Sequence, residues 1–230
     1  MVAFVTRLVL IHGSVTNAGR SWRRQAPLAE RFELVAPNRP GFWPGPPVER
    51  VDFDVDAAWL QGVVQPGDHL VAHSYGGVAA LLAAPSLPLR SLTVIEPPAF
   101  AVARGEPAVE AWLATYVELD SADAFLAHVG APLRLVEPLP PDLRQGAAAL
   151  LAERPPTEAQ IPLTPLPYPV LVVTGGHEPA FEAVGDVLER SLHAERAVLP
   201  GAGHAAQNAP GFNETLVDFV QRAHQSDAGA

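Results

Sequence analysis

The chain has 230 residues and a formal net charge of -10, and all 15 of its basic residues are arginine. This charge argues against a nucleic-acid partner, which would require a basic stripe, and against electrostatic docking to anionic lipid. Cysteine is absent, which excludes disulfides, thiolate metal sites and a cysteine nucleophile. A chain of this length is compatible with one α/β domain. The sequence shows neither a secretory segment nor an apolar run near the ~20 residues of a membrane helix, so we expect a soluble, cytoplasmic protein with a small-molecule substrate.

Apolar segments alternate with helical patterns along the first part of the chain. The nearly continuous apolar run Val5–Ile11 is typical of a buried parallel strand, and Phe32–Ala36 is predicted as the second strand. Helices are predicted from Ser21, as a capping residue, to Arg31 and from Val55 to Val64. Residues 38–47 are rich in proline and glycine, so this tract is predicted to be an irregular loop.

A serine stands where the next predicted strand, Asp68–His73, gives way to a helical pattern over Val78–Ala84. A sharp turn between strand and helix lifts a serine hydroxyl clear of the sheet, provided that its neighbours are small. Gly76 follows Ser74 by two residues, as a nucleophile elbow requires, while Ala72 takes the place of the motif's first glycine. The pattern predicts Ser74 as a nucleophile.

The second half of the chain resumes the alternation after an interruption. Residues 101–166 contain helical patterns separated by prolines and no convincing strand. Strands and helices are then predicted in turn at Pro169–Thr174, Phe181–Leu192, Ala194–Leu199 and Phe212–His224. Ser91–Pro98 is predicted as a further strand that ends in a carboxylate and two prolines. The order predicts an α/β core with a mostly parallel sheet flanked by helices, formed by residues 1–100 and 167–230.

Three segments resemble motifs of the α/β-hydrolase superfamily, and they occur in the family's chain order. The turn at Ser74 resembles the family's nucleophile elbow. Leu8–Gly13 resembles its first central strand and His-Gly oxyanion loop, and Val198–His204 resembles its last strand and the loop of its catalytic histidine. The resemblance implies an α/β-hydrolase fold in which residues 101–166 form a helical cap and the superfamily's leading antiparallel hairpin is missing.

The resemblance also implies acyl-transfer chemistry. Ser74 would attack the substrate carbonyl, and His204 would act as the base that activates it. The oxyanion hole would consist of the backbone N–H groups of Ser14 and Tyr75. Because both donors are main-chain groups, the sequence says little about the role of their side chains. His12 is expected to brace its loop.

Two carboxylates are candidates for the acid that orients the histidine. Glu96 follows the strand after the elbow helix, where haloalkane dehalogenases and zearalenone-type lactonases place a glutamate. Glu178 follows Gly175 with the spacing of the commoner family pattern, but most members have aspartate there. Side-chain length and a position directly at a strand end favour Glu96, with Glu178 as the alternative.

These assignments predict a cofactor-independent serine hydrolase that cleaves an ester, thioester or lactone through an acyl-enzyme. Three aromatic residues of the predicted cap, Trp112, Tyr116 and Phe125, indicate a small or medium hydrophobic substrate, although they could equally form the interior of the cap. The alternatives are a carbon-carbon bond hydrolase or a non-hydrolytic biosynthetic enzyme with the same site. A hydrolase-fold ligand receptor with little turnover is the alternative from another class.

A metal site is the remaining alternative for the histidines. His73, His177 and His204 could lie at one end of the sheet, and histidines with a carboxylate can bind zinc. The sequence lacks a compact His-x-x-x-His pair, so we expect no metal and no other cofactor.

Overall fold

The computed structural model describes residues 6–114 and 140–225. Six strands in this part of the chain form one sheet in the order β2-β1-β3-β4-β5-β6, and each neighbouring pair is parallel. The strands are β1 (Arg7–Ile11), β2 (Glu33–Val35), β3 (His69–His73), β4 (Ser91–Ile95), β5 (Val170–Thr174) and β6 (Glu195–Val198). The predicted mostly parallel sheet is thereby confirmed.

Seven α-helices accompany these strands within the described residues. They are α1 (Ala18–Ser21), α2 (Phe53–Val63), α3 (Tyr75–Ala83), α4 (Pro107–Ala114), α5 (Pro141–Leu151), α6 (Pro179–Leu192) and α7 (Phe212–Gln225). Short 3-10 segments cover Arg23–Glu30, Ala84–Ser86, Phe100–Ala103, Pro156–Glu158 and Ala206–Asn208. None of the helices in residues 6–114 and 140–225 is both long and apolar enough to cross a membrane.

The prediction that Ser21 caps the first helix is wrong. The cap is Asn17, whose side-chain oxygen accepts the N–H of Arg20 at 3.0 Å, and α1 already ends at Ser21. The chain continues as a 3-10 segment that contains Pro27. Proline has no N–H to donate to the preceding turn, so a regular α-helix is disfavoured there.

Both faces of the sheet are covered, which explains the continuous apolar runs of its central strands. Val9 and Leu70 lie on the face that packs against α2, α3 and α6. Leu8 and Val71 lie on the opposite face, which packs against α1 and α7. The fold is therefore a three-layer arrangement of helices, sheet and helices.

The strand order places a switch point between β1 and β3. The chain leaves β1 for β2 on one side, and β3 then pairs with β1 on the other side. In open α/β sheets, ligands bind at the carboxyl ends of the strands at such a point. The loop that follows Ile11 and the turn at Ser74 meet there.

The described residues between 101 and 166 contribute α4, α5 and two 3-10 segments to the structure, without a strand. Helix α5 lies against the loop that follows β1. A Cβ atom on Gly146 would be only 1.7 Å from the carbonyl oxygen of Val15. This part of the chain thus packs close to the switch point, and its identity as a cap domain stays a prediction.

Candidate active site

Ser74 occupies a strained turn between β3 and α3. Its φ of 54° and ψ of -125° lie in a region that costs a residue with a side chain roughly 1–3 kcal/mol. The Ser74 N–H donates to the carbonyl of Ile95 at 2.8 Å, which fixes the turn to β4. A Cβ atom on Gly76 would lie 2.5 Å from the His12 carbonyl oxygen, so only glycine fits there. Ala72, at the position of the motif's first glycine, is fully buried.

The loop that follows β6 brings His204 to this serine. The distance from His204 Nε2 to Ser74 Oγ is 2.9 Å. Gly201 and Gly203 have φ values of 77° and 66°, a backbone region that favours glycine. A Cβ atom on Gly175 would be 2.2 Å from the Gly203 carbonyl oxygen. Small residues on both sides therefore allow the histidine loop to approach the end of the sheet.

Glu96 is the carboxylate that the structure places beside the histidine ring. Its Oε2 lies 3.4 Å from His204 Nδ1, and its Oε1 accepts the N–H of Gly175 at 2.5 Å. Glu178 instead caps α6, where its side chain accepts the N–H of Ala180 at 3.3 Å. Of the two carboxylates considered from the sequence, the structure therefore brings Glu96 together with Ser74 and His204.

Burial shifts both members of the His204 and Glu96 pair toward their neutral forms. Desolvation raises the pKa of Glu96 to about 7, although the Gly175 N–H and His177 act in the opposite direction. Desolvation and the nearby His177 lower the pKa of His204 to about 4, even though 38% of its side chain is exposed. Because the two side chains are neighbours, their protonation is best described for the pair rather than for either group alone.

His73 braces the histidine loop from the end of β3. Its Nε2–H donates to the carbonyl of His204 at 2.8 Å. Its Nδ1 is buried and has no hydrogen-bond partner among the described residues, and burial lowers the pKa of His73 to about 3. The ring is therefore neutral, with its proton on Nε2.

Three groups at the site could together bind a metal ion. Glu96, His177 and His204 each offer one ligand atom, and these atoms lie within 4.8 Å of one another. His177 Nδ1 lies 3.7 Å from Glu96 Oε1. Nδ1 of His204 faces Glu96 and Nε2 faces Ser74, so a metal bound through either ring nitrogen would compete with this arrangement.

The loop after β1 approaches Ser74 from the other side. A Cβ atom on Gly13 would lie 2.7 Å from Ser74 Cβ, and Ser14 is the next residue. Tyr75 is the first residue of α3, and the first N–H groups of a helix have no acceptor within it. The positive end of the helix favours a negative charge at this point. His12 braces the loop, since its Nε2 accepts the Arg39 N–H at 3.0 Å.

A buried ion cluster lies behind this loop. Arg39 is completely buried and pairs with Asp56 at 2.7 Å and with Glu153 at 3.1 Å. Its guanidinium carbon also lies over the rings of Phe42 and Tyr75, 4.7 and 4.6 Å from their centroids. We call Arg39, Asp56 and Glu153 the Arg39 cluster. Burial raises the pKa of Glu153 to about 7, although Arg39 acts in the opposite direction.

Aromatic side chains line the His204 ring on the side of α6. The ring centroid of Phe181 lies 5.0 Å from that of His204, and Trp112 meets Phe181 edge-on at 6.4 Å. Trp112 also stacks on Phe100 at 4.3 Å. Trp112 is one of the three aromatic residues singled out in the sequence. It contacts Phe181, which in turn contacts His204. The other two, Tyr116 and Phe125, lie outside the described residues.

The fold and the site together define a class of protein: a parallel α/β sheet with a serine on a strained strand-to-helix turn, facing a histidine and a glutamate. Residues 8–212 match the alpha/beta hydrolase family, and the chain belongs to this family. No curated protein matches the sequence.

Several solved structures share the fold. A variant of the N-acyl homoserine lactonase AidH, complexed with N-hexanoyl homoserine, has a TM-score of 0.73 at 17% identity, over 96% of this chain and 90% of that chain. A thermophilic esterase from Thermogutta terrifontis has a TM-score of 0.68 at 20% identity, over 95% of this chain and 90% of that chain. MenH from S. aureus has a TM-score of 0.68 at 16% identity, over 95% of this chain and 94% of that chain.

Proposed function

We propose that the protein is a serine hydrolase that cleaves a small or medium hydrophobic ester, thioester or lactone through an acyl-enzyme. The observation that carries the proposal is the 2.9 Å contact between Ser74 Oγ and His204 Nε2, with Glu96 3.4 Å from the opposite ring nitrogen. In this arrangement Ser74 is the nucleophile, His204 the base and Glu96 the group that holds the ring in the productive tautomer.

In the first half of the proposed reaction, Ser74 Oγ attacks the carbonyl carbon while its proton moves to His204 Nε2. The carbonyl oxygen becomes an oxyanion, which accepts hydrogen bonds from the N–H groups of Ser14 and Tyr75. When the tetrahedral intermediate collapses, the bond to the leaving oxygen or sulfur breaks, and His204 donates its proton to that atom. In a lactone the leaving group stays attached as the alcohol of the opened ring.

In the second half, water replaces the leaving group. His204 takes a proton from the water, and the oxygen attacks the acyl carbon to form a second tetrahedral intermediate. Its collapse breaks the bond to Ser74, which regains its proton from His204. One water molecule is consumed for each ester cleaved, and the carboxylic acid is released.

The substrate class rests on the surroundings of His204. Phe181 and Trp112 offer an apolar surface on one side of the ring, which suits a hydrophobic acyl or alcohol group. The fold shared with an N-acyl homoserine lactonase and with an esterase supports the same class. We further propose that residues 101–166 act as the cap that encloses this group.

The proposal is tested with p-nitrophenyl esters of increasing chain length, with N-hexanoyl homoserine lactone, and with a fluorophosphonate that labels activated serines. Ser74→Ala should abolish labelling and lower kcat by as much as ~10⁶, the loss seen when a serine nucleophile is removed. Ser86 is an exposed serine on the 3-10 segment after α3. The control variant Ser86→Ala should therefore match the wild type in labelling and kcat. Turnover or labelling that survives Ser74→Ala contradicts the proposal. A wild-type protein that binds hydrophobic ligands without turnover is instead a receptor.

A further inference from the structure

The side chains of Ser14 and Tyr75, the two proposed oxyanion donors, reach two consecutive residues beyond α5. The Ser14 hydroxyl donates to Glu153 Oε2 at 2.5 Å. The Tyr75 hydroxyl donates to the backbone carbonyl of Arg154 at 2.9 Å. One donor lies in the loop after β1 and the other at the start of α3, so these bonds tie two separate segments to a third.

Glu153 and Arg154 are themselves fixed to the core. Glu153 accepts a hydrogen bond from the buried Arg39 at 3.1 Å. The Arg154 N–H donates to the carbonyl of Val51 at 3.0 Å, and its guanidinium pairs with Asp54 at 2.8 Å. Glu153 and Arg154 are therefore each held by separate bonds to the core, and their hydrogen bonds in turn restrain Ser14 and Tyr75.

The loop that carries Ser14 requires such a support. Val15, the next residue, has a φ of 68°. A β-branched residue keeps this unfavourable conformation only where its surroundings over-determine it. Helix α5 supplies part of that constraint, because Gly146 packs directly on the Val15 carbonyl. The hydrogen bond from the Ser14 hydroxyl to Glu153 supplies a second constraint, one residue earlier in the loop.

We propose that Glu153 and Arg154 are positioning residues of the oxyanion hole, acting through the side chains of Ser14 and Tyr75. The inference rests on the serine-hydrolase chemistry proposed above. An oxyanion donor works only when its nitrogen lies about 2.7–3.1 Å from the oxygen that it stabilises. A misplacement of about 1 Å can cost ~10² in rate. The two tethers hold both N–H groups in place, and neither Glu153 nor Arg154 touches the substrate.

Two substitutions remove one tether each and keep the backbone donors. Ser14→Ala removes the bond to Glu153, and Tyr75→Phe removes the bond to Arg154. Both leave Arg39 paired with its carboxylates, whereas Glu153→Ala would also break the Arg39 cluster. They are therefore the decisive variants.

The chain offers matched controls for both changes. The hydroxyl of Ser86 donates to the Ala83 carbonyl at 2.9 Å, and that of Tyr168 donates to the Ala84 carbonyl at 2.6 Å. Ser86→Ala and Tyr168→Phe therefore remove the same kinds of bond away from Ser74. The measurements are kcat and KM for a p-nitrophenyl ester, the inhibition constant of phenylboronic acid, which forms a tetrahedral adduct on serine, and Tm.

Outright loss of an oxyanion donor costs ~10² to 10³ in kcat, so a loosened donor should cost about tenfold. We expect Ser14→Ala and Tyr75→Phe each to lower kcat about tenfold, with KM within about twofold. The inhibition constant of phenylboronic acid should rise by a similar factor, and both controls should match the wild type. A merely structural role would lower Tm without the parallel change in kcat and boronate affinity.

The proposal is overturned if both tether variants retain wild-type kcat and boronate affinity, or if the controls lose as much. A loss in only one variant overturns the role of the residue at the other tether. These outcomes are read against Ser74→Ala. If that variant keeps full turnover, the proposed function itself has failed. If it is inactive while the tether variants are unimpaired, only the positioning role has failed.

Discussion

The two sides of Ser74 are built in different ways. On the side of the proposed base, Glu96 directly follows the end of β4, and a small-residue loop after β6 brings His204 to the serine. On the other side, Ser14 and Tyr75 are tied to Glu153 and Arg154, which lie just beyond α5. The first arrangement follows from where strands end. The second depends on a buried ion cluster that joins segments distant in sequence.

The difference has an energetic consequence. On the base side, burial shifts both Glu96 and His204 toward their neutral forms. The Arg39 cluster, by contrast, holds a guanidinium that is always ionised, and its stability depends on the two carboxylates beside it. We therefore expect changes on the base side to alter turnover and changes in the Arg39 cluster to alter stability as well.

The largest expected effect concerns the base side. Glu96→Gln should lower kcat by up to ~10⁴, because an amide cannot hold the imidazole in the right tautomer or stabilise its protonated form. Glu178→Gln is the matched change, and it should leave kcat within a few-fold because Glu178 caps α6. Steady-state kinetics on one p-nitrophenyl ester checks the ranking. The reverse order would show that Glu178 is the working acid.

On the opposite side, Arg39→Met should destabilise the protein by about 3–5 kcal/mol, because it leaves Asp56 and Glu153 buried without a counter-ion. Arg104→Met is the control: Arg104 pairs with Glu110 at the surface, with 57% of its side chain exposed, and the change should cost less than about 0.5 kcal/mol. Urea unfolding of the three proteins gives the comparison. Equal stabilities for both variants would contradict the assigned role of the Arg39 cluster.

The residues that meet on the base side of Ser74 can be predicted from the sequence, because the patterns that indicate them are local. An apolar run, a serine between small residues and a helical pattern define the turn at Ser74 within a few residues. Glu96 was favoured for its position at a strand end, and the structure places it beside His204. Most strand boundaries differ by no more than two residues, as between the predicted Ala194–Leu199 and the observed Glu195–Val198. The largest difference is at β4, which ends at Ile95, three residues before the predicted Pro98.

The other side could not be predicted in the same way. Arg39 lies in a proline- and glycine-rich tract, and Asp56 lies on an ordinary helical pattern, so both would be expected at the surface. Only the tertiary structure shows that both are buried and that Arg39 pairs with Glu153 as well as with Asp56. The side chains of Ser14 and Tyr75 had no expected role, because their predicted chemistry uses main-chain groups. The sequence likewise places Phe181 in a predicted helix but does not indicate its contact with His204.

The smallest expected effect is the pH dependence of turnover, which tests whether Glu96 and His204 share a proton. In the proposed mechanism, the reactive form has Glu96 ionised and His204 neutral. Since burial raises the pKa of Glu96 to about 7, this form is gained as pH rises through that value and lost as pH falls below it. We therefore expect kcat/KM to lie about tenfold below its plateau at pH 6.

The pH profile also separates the pair from His204 alone. The pKa of His204 is lowered to about 4, so a site in which only this histidine titrates would be fully active at pH 6. Glu96→Gln removes the carboxyl that titrates near pH 7, so its residual activity should be nearly constant between about pH 5.5 and 8, whereas Glu178→Gln should keep the wild-type midpoint. The measurement is kcat/KM for a p-nitrophenyl ester at constant ionic strength, with Tm recorded at each pH to exclude unfolding. A wild-type profile that stays flat down to pH 5, or an unchanged midpoint in Glu96→Gln, would show that Glu96 does not share the proton of His204.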